Sequence, residues 1–177
     1  LNDCYDNLFK GEERLVVGVG VKNLVVVETT DAILILDKKD SQKIKEIVNH
    51  LNKKCFIEAN EHKKVYRPWG SYKCLFEEQT WKVKKIVVKP KESLSLQKHK
   101  FRSEHWVVLD GIASVEINGK KYKIYKNQST YIPLGIKHRL SNEEDVPLII
   151  VEVQSGRSVE ENDIVRFEDK YGRTSDF

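Results

Sequence analysis

"LSLQKHKFRSEHW", residues 94–106, places two of the chain's five histidines beside a glutamine, an arginine and a glutamate. In an extended strand alternate side chains share a face, so Gln97 and His99 point the same way. Glu104 has the opposite parity, but a turn at "KFRS" (100–103) can reverse it. On the strand that follows, Glu104, Trp106 and Val108 share a face and His105 looks away from it. Gln97, His99 and Glu104 can therefore converge on one point inside a barrel. Two readings stay open here: a metal site, or a polar lining held by hydrogen bonds. The familiar His-x-His pair does not start at His99, because position 101 is Phe101.

The flanking sequence supplies the barrel. "WKVKKIVV" (81–88) reads as a strand and "KPKES" (89–93) as a turn. "ASVEINGKKYKIY" (113–125) reads as two alternating strands joined at Asn118-Gly119, the strongest short hairpin signal. "STYIP" (129–133), "HRLSN" (138–142) and "PLIIVEVQ" (147–154) continue the series. Short strands spaced about 8–12 residues apart, with turns between, describe a sandwich or barrel. We assign it residues 63–177. The charged tail "EENDIVRFEDKYGR" (160–173) reads as a short helix or an extension packed on the barrel.

Residues 1–62 differ in character. Apolar bursts at Leu15–Val17, Leu24–Val27 and Ala32–Leu36 predict three strands. "GVGVKN" (18–23) is no phosphate loop, since position 23 is Asn23 and a strand rather than a helix follows. Ile44, Ile47, Val48 and Leu51 recur at helical spacing, predicting a helix over about 41–53. Asp40 or Ser41 would cap it, and it would lie on the preceding strands. "NKKCFIEANEHKK" (52–64) is the expected connector.

Composition narrows the classes. The 177 residues are 40% hydrophobic, enough for a core, and no apolar run nears the roughly 20 residues of a membrane span. The net charge of +4 comes from 31 basic and 27 acidic side chains interspersed as in "KKDSQKIKE" (38–46), so no nucleic-acid stripe is seen. Cys4, Cys55 and Cys74 form no CxxC pair, and no secretory leader is visible, which together suit a reducing cytoplasm. No methionine occurs, even at position 1, which predicts a segment of a longer chain.

In "NQSTYIPLGIKHRLSN" (127–142), Pro133 and Gly135 set a tight turn and His138 starts the next strand. This stretch and the opening one resemble the two motifs of the cupin superfamily. Laid on them, the first histidine position is Gln97, the second His99, the glutamate Glu104 and the last histidine His138. "VYRPWGSY" (65–72), "LSLQKHKFRSEHW" and "VEVQSGRSVEENDIVRFEDKYGR" (151–173) narrow the likeness. They resemble the isomerase domain of bifunctional mannose-1-phosphate guanylyltransferase/mannose-6-phosphate isomerases, the type II phosphomannose isomerases. Residues 14–53 resemble the connecting segment before that domain.

The resemblance implies a mainly β chain: a double-stranded β-helix, or jelly-roll barrel, preceded by a small β-rich segment with one helix. It implies a divalent ion, zinc or similar, on Gln97, His99, Glu104 and His138. It implies Arg102 as a residue needed to interconvert mannose 6-phosphate and fructose 6-phosphate, and a guanylyltransferase domain before residue 1. Lys137, Arg139 and Arg157 are the cations available for the phosphate. Lys84, Lys137 and Glu152 are unranked candidates for the proton carrier, and His105 reads as a packed histidine. Trp69 and Trp106 either wall the pocket or fill the core. Lys100 and Phe101 stand where the family usually has histidines, which touches substrate contact rather than the ligand register. Open strand edges in the first segment predict a homo-oligomer. Another cupin enzyme, or a non-catalytic sugar-binding or regulatory cupin, remains the alternative.

Overall fold

A computed structural model describes residues 2–56 and 62–173. The chain divides into two compact units, Leu1–Lys63 and Lys64–Phe177. The middle of the expected connector, residues 57–61, lies outside the described residues.

The first unit winds in parallel. Strand β1 (Leu8–Lys10) pairs with β2 (Leu24–Glu28) in the register Leu8↔Val25 to Lys10↔Val27. Isolated parallel bridges join Asn2 to Val19 and Tyr5 to Lys22. The partner stands 17 residues on at every one of these contacts, so the chain completes one coil of constant length. β3 (Ile33–Asp37) then returns antiparallel to β2.

Three expectations for this unit are corrected. Leu15–Val17 is not a strand. The amides of Glu12, Glu13 and Arg14 turn inward onto the carboxylate of buried Glu28, donating to Oε2 at 2.8, 3.1 and 3.3 Å. That turn aims the backbone away from a ladder, and Leu15 is left 91% exposed. The helical segment starts earlier than expected, as a 3₁₀ turn over Lys38–Lys43 that leads into α1 (Ile44–Lys53). Its cap is Asp37, which accepts from the Lys39 amide at 3.1 Å, while Asp40 pairs with Lys43 at 2.9 Å. Finally, α1 buries no residue: Ile44, Ile47 and Val48 stay exposed, as do Ile33 and Ile35 of β3. Helical periodicity identified an apolar stripe but not what covers it.

Among its described residues the second unit holds eleven strands. They are β4 (Lys64–Arg67), β5 (Gly70–Glu77), β6 (Trp81–Val88), β7 (Leu96–His99), β8 (Arg102–Asp110) and β9 (Ala113–Ile117). β10 (Lys120–Ile124), β11 (Ser129–Ile132), β12 (His138–Ser141), β13 (Leu148–Gly156) and β14 (Ile164–Glu168) follow. One sheet has the order β11-β8-β13-β6-β5-β4, the other β10-β9-β12-β7-β14. Burial alternates along β6 and β13, as a strand with one face inside requires. Asn118 and Gly119 both have positive φ, 49° and 79°, the geometry of a type I′ hairpin between β9 and β10. The tail forms a single 3₁₀ turn, Glu161–Asp163, and then β14, which lies beside β7.

Inside, the side chains form an apolar part and a polar part. Ile86, Val88, Val108, Val115, Leu140, Leu148 and Ile150 pack together at 3% exposure or less. The polar part lies on the same inward faces, towards the other end of β6, β8 and β13. Rows across the sheet show the change: Val108–Ile150–Ile86–Tyr72, then Trp106–Glu152–Lys84, then Glu104–Gln154–Lys82.

Candidate metal centre

β7 and β8 carry two of the acidic and imidazole donors, and the two residues between these strands set their relation. Asp163 accepts from the amides of Lys100 (2.9 Å) and Phe101 (3.2 Å), holding them as a connection outside both strands. The parity reversal that the sequence required takes place here, so His99 and Glu104 both face inward. β12 brings the third donor. Gly135, with φ of 77°, adopts a left-handed turn that suits glycine, and its amide donates to the carbonyl of His99 at 2.9 Å. His138 then sits directly across from Gln97.

The donors converge. Atoms of His99, Glu104 and His138 lie within 4.8 Å of one another, and all three side chains are buried. His99 Nε2 is 3.0 Å from Glu104 Oε1, and His138 Nε2 is 3.6 Å from Glu104 Oε2. His138 Nδ1 is 2.9 Å from the carbonyl of Ile136, which makes it the donor and leaves Nε2 with a lone pair. Burial lowers the pKa of His138, which favours that neutral form. The Nε2 atoms of both histidines are buried without a hydrogen-bond partner. Buried polar atoms normally have one, and two imidazole nitrogens aimed at one carboxylate make a donor set for a divalent cation. Gln97 faces the same space, with its Oε1 accepting from Ser95 Oγ at 2.9 Å and keeping a second lone pair.

Glu104 is ionised. Burial pushes its pKa up, but the His99 imidazole 3.0 Å away and the positive charge of Arg102 beside it outweigh that and hold it well below the usual range. Gln154 Nε2 donates to Glu104 Oε1 at 3.1 Å, and Trp106 Nε1 donates to Oε2 at 3.1 Å. Glu152 lies alongside, accepting from Trp106 Nε1 (3.0 Å) and Gln154 Nε2 (2.9 Å). Burial first, and the charge of Glu104 second, raise its pKa to about 8.

A cavity of about 60 Å³ opens to solvent beside this cluster. Arg102 lines it at 2% exposure, with Nη1 donating to the carbonyl of Glu160 at 2.6 Å and Nε 3.4 Å from Glu104 Oε1. It is not a surface ion pair. Lys84 and Glu152 also line the cavity, and Lys84 pairs with Glu161. Trp69 forms part of the wall, while Trp106 is buried in the core and serves the site through its indole N–H.

The cations expected at the phosphate stand away from this cavity. Lys137, Arg139 and Arg157 do not line the cavity. Arg139 follows His138 on β12, so it points to the opposite face, where it meets Glu116 and Glu168. Lys137 is exposed, with Nζ 3.8 Å from the centroid of the Phe167 ring, and Arg157 is exposed. His105 is exposed as well and lies against Tyr131 at a tilt, with ring centroids 4.6 Å apart, rather than being packed inside. The cations that do line the cavity, besides Lys84 and Arg102, are Arg67, Arg166 and Arg173. The sequence reading missed them, although all three lie in the stretches "VYRPWGSY" and "DIVRFEDKYGR" that carried the family resemblance.

Residues 52–169 match the family model described as mannose-6-phosphate isomerase C-terminal. The chain belongs to this family. In this mannose-6-phosphate isomerase C-terminal chain, residues 3–51 further match a MannoseP isomerase/GMP-like beta-helix domain, in keeping with the parallel coil. It is 48% identical over 172 residues to the xanthan biosynthesis protein XanB of Xanthomonas campestris pv. campestris (strain B100), covering 97% of this chain and 37% of that protein. It is 49% identical over 162 residues to the mannose-1-phosphate guanylyltransferase ManC of Salmonella typhimurium, covering 92% of this chain and 34% of that protein. Over 175 residues it is 46% identical to the alginate biosynthesis protein AlgA of Pseudomonas putida, covering 99% of this chain and 36% of AlgA. The chain thus spans little more than a third of these relatives' length. Among solved structures, an uncharacterized conserved protein with a double-stranded beta-helix domain from Klebsiella pneumoniae superposes with a TM-score of 0.50 at 16% identity, covering 62% of this chain and 89% of that one. The fold is the double-stranded β-helix of cupins. Among the described residues, no helix is long and apolar enough to cross a membrane.

Proposed function

We propose that this chain is the isomerase portion of a longer protein and interconverts mannose 6-phosphate and fructose 6-phosphate. Gln97, His99, Glu104 and His138 hold a divalent cation, zinc or a similar ion. The observation that carries this reading is the pair of buried, partnerless imidazole nitrogens facing the ionised Glu104 in a chain of this family. Two imidazoles, one carboxylate and one amide oxygen would suit such an ion, and Gln97 and Glu104 of this set line the cavity. The bound cation supplies a Lewis acid for the sugar oxygens at C1 and C2.

The protein's own groups do the rest. Moving a hydrogen between C2 and C1 removes a proton from carbon and leaves negative charge on oxygen. Arg102, pinned by the Glu160 carbonyl, presents a fixed positive charge to that oxygen. Of the candidate proton carriers, Lys137 stands outside the cavity and Lys84 is committed to Glu161. Glu152 remains, a cavity carboxyl oriented by Trp106 and Gln154; its ionised form, half populated at about pH 8, takes the proton from one carbon and returns it to the other. The relatives' names support a companion guanylyltransferase elsewhere in the full-length protein, within a mannose-based polysaccharide pathway. Three unpaired thiols suit a cytoplasmic setting.

The test is formation of fructose 6-phosphate from mannose 6-phosphate by the chain after loading with zinc, cobalt or manganese. His99→Ala should lose both bound metal and activity. If the unmodified chain bound the ion yet turned over nothing, a sugar-binding or regulatory role would replace the isomerase reading.

A further inference from the structure

The cavity wall carries five cationic side chains, Arg67, Lys84, Arg102, Arg166 and Arg173, against three carboxylates, Glu104, Glu152 and Glu161. Lys84 answers Glu161 and Arg102 answers Glu104, which accounts for the cations nearest the metal cluster. The remaining three are all guanidiniums, of which Arg173 is paired with Asp169 outside the cavity lining. Arg67 closes β4, Arg166 lies on β14 opposite Gln97, and Arg173 follows β14. We propose that Arg67, Arg166 and Arg173 form a phosphate subsite, so that a hexose 6-phosphate lies with its phosphate among them and its carbonyl end at His99, Glu104 and His138. The identity of the sugar rests on the isomerase reading; the anion subsite does not.

Three features support the subsite. The first is convergence. Arg67 at the end of β4, Arg166 on β14 and Arg173 beyond it all line the one cavity, so a phosphate dianion placed among them would meet three guanidiniums. The second is preorganisation. Asp169 clamps Arg173 at both ends of its fork, accepting from Nε at 2.9 Å and Nη2 at 2.7 Å, and takes the Arg173 amide at 2.7 Å. Arg67 stands 5.9 Å from the centroid of the Tyr72 ring, whose inward face lines the same cavity. Planar forks held in place match phosphate oxygens better than a mobile ammonium does.

The third is spacing. β5, which carries Tyr72, is three strands from β8, which carries Glu104, or about 14 Å across the sheet with strands about 4.8 Å apart, and Glu104 lies further along β8 than the row that Tyr72 shares with Val108. Long side chains reaching inward from both sides leave room for an extended molecule with an anion at one end and its reacting carbons at the other. Lys137 and Arg139 fall outside that path.

The test is calorimetric titration of the metal-loaded chain with inorganic phosphate and with glucose 6-phosphate, beside steady-state kinetics on mannose 6-phosphate. Arg67→Ala is the primary variant because Arg67 is exposed and the fold does not depend on burying it. Arg166→Ala is the second. Each should weaken binding of both probes by about tenfold or more, as loss of a charge-assisted hydrogen bond requires, with metal content unchanged. KM for mannose 6-phosphate should rise by a similar factor while kcat changes far less, and Arg67→Lys should recover part of the loss. Lys85→Ala, on the outer face of β6, controls for net charge and should bind both probes normally. Phosphate binding that both arginine substitutions leave within twofold of the unmodified chain overturns the subsite, as does no phosphate binding at millimolar concentration. Binding that depends on the arginines, without turnover, supports the subsite and removes only the isomerase reading.

Discussion

Replacing Arg102 by lysine keeps the charge and removes the planar fork, which makes it the most direct probe of the chemistry. Arg102 reaches the Glu160 carbonyl through Nη1 (2.6 Å) and approaches Glu104 through Nε (3.4 Å), from a position 2% exposed. A lysine ends in one nitrogen and cannot serve both. If it stays by Glu104, a carbonyl loses a charged donor, at a cost of about 1.5–3 kcal/mol in stability. If it follows the carbonyl, the charge moves off the site where oxyanion character develops, and a preorganised donor of that kind contributes roughly 2.7–4 kcal/mol to the barrier. Either way the fixed fork is lost, through displacement of the charge or through loss of the carbonyl that pins it, and turnover should fall about a hundredfold or more. Metal content should not change, because Arg102 donates no lone pair. The assay is coupled detection of fructose 6-phosphate at saturating metal, with bound ion measured on the same sample and thermal melting to follow the fold. A variant that turned over at the unmodified rate would refute the role given to Arg102 and return it to holding Glu104 and Glu160 together.

Gly156→Ala should be damaging at a distance from the donors, since a Cβ there would stand 2.0 Å from the Phe101 carbonyl oxygen and 2.7 Å from Arg102 Cα. Backbone must shift at the start of β8, so we expect a loss of at least about 2 kcal/mol in chemical denaturation together with weaker metal binding; a stable, fully metallated variant would contradict the packing. Asp163→Ala removes the acceptor for two amides between His99 and Arg102, and should weaken metal affinity measured by chelator competition, with Asp163→Asn intermediate. Glu152→Gln tests the raised carboxyl. In the metal-free chain the folded form holds the Glu152 proton up to about 8, whereas the unfolded form releases it near 4.5. The folded state therefore binds more protons across that window, and stability falls as pH rises through it. Melting temperatures from pH 5 to 8.5 should fall less steeply in Glu152→Gln, and identical slopes would count against the assignment.

Period-two burial made the barrel strands legible without coordinates, because a strand with one face inside must alternate whatever it packs against. Asn118-Gly119 was equally local, since a type I′ turn asks only for two residues that tolerate positive φ. The faces of Gln97, His99 and Glu104 followed from parity and one turn, and the order of the two motifs supplied His138. What a side chain meets across the barrel was not local. Arg139 belongs to the right segment but the wrong face, while Arg67, Arg166 and Arg173 come from strands nearly a hundred residues apart in sequence that only the sheet order brings to one cavity. The same holds in the first unit, where the apolar stripe of α1 was read correctly but its cover was not, and where a single buried carboxylate, Glu28, turned a β-branched run out of the ladder. Alternation and turn chemistry are properties of a few neighbouring residues and survive in any context. Which polar groups share a cavity depends on strand order and on the direction of long side chains, and those are decided only when the two sheets close on each other.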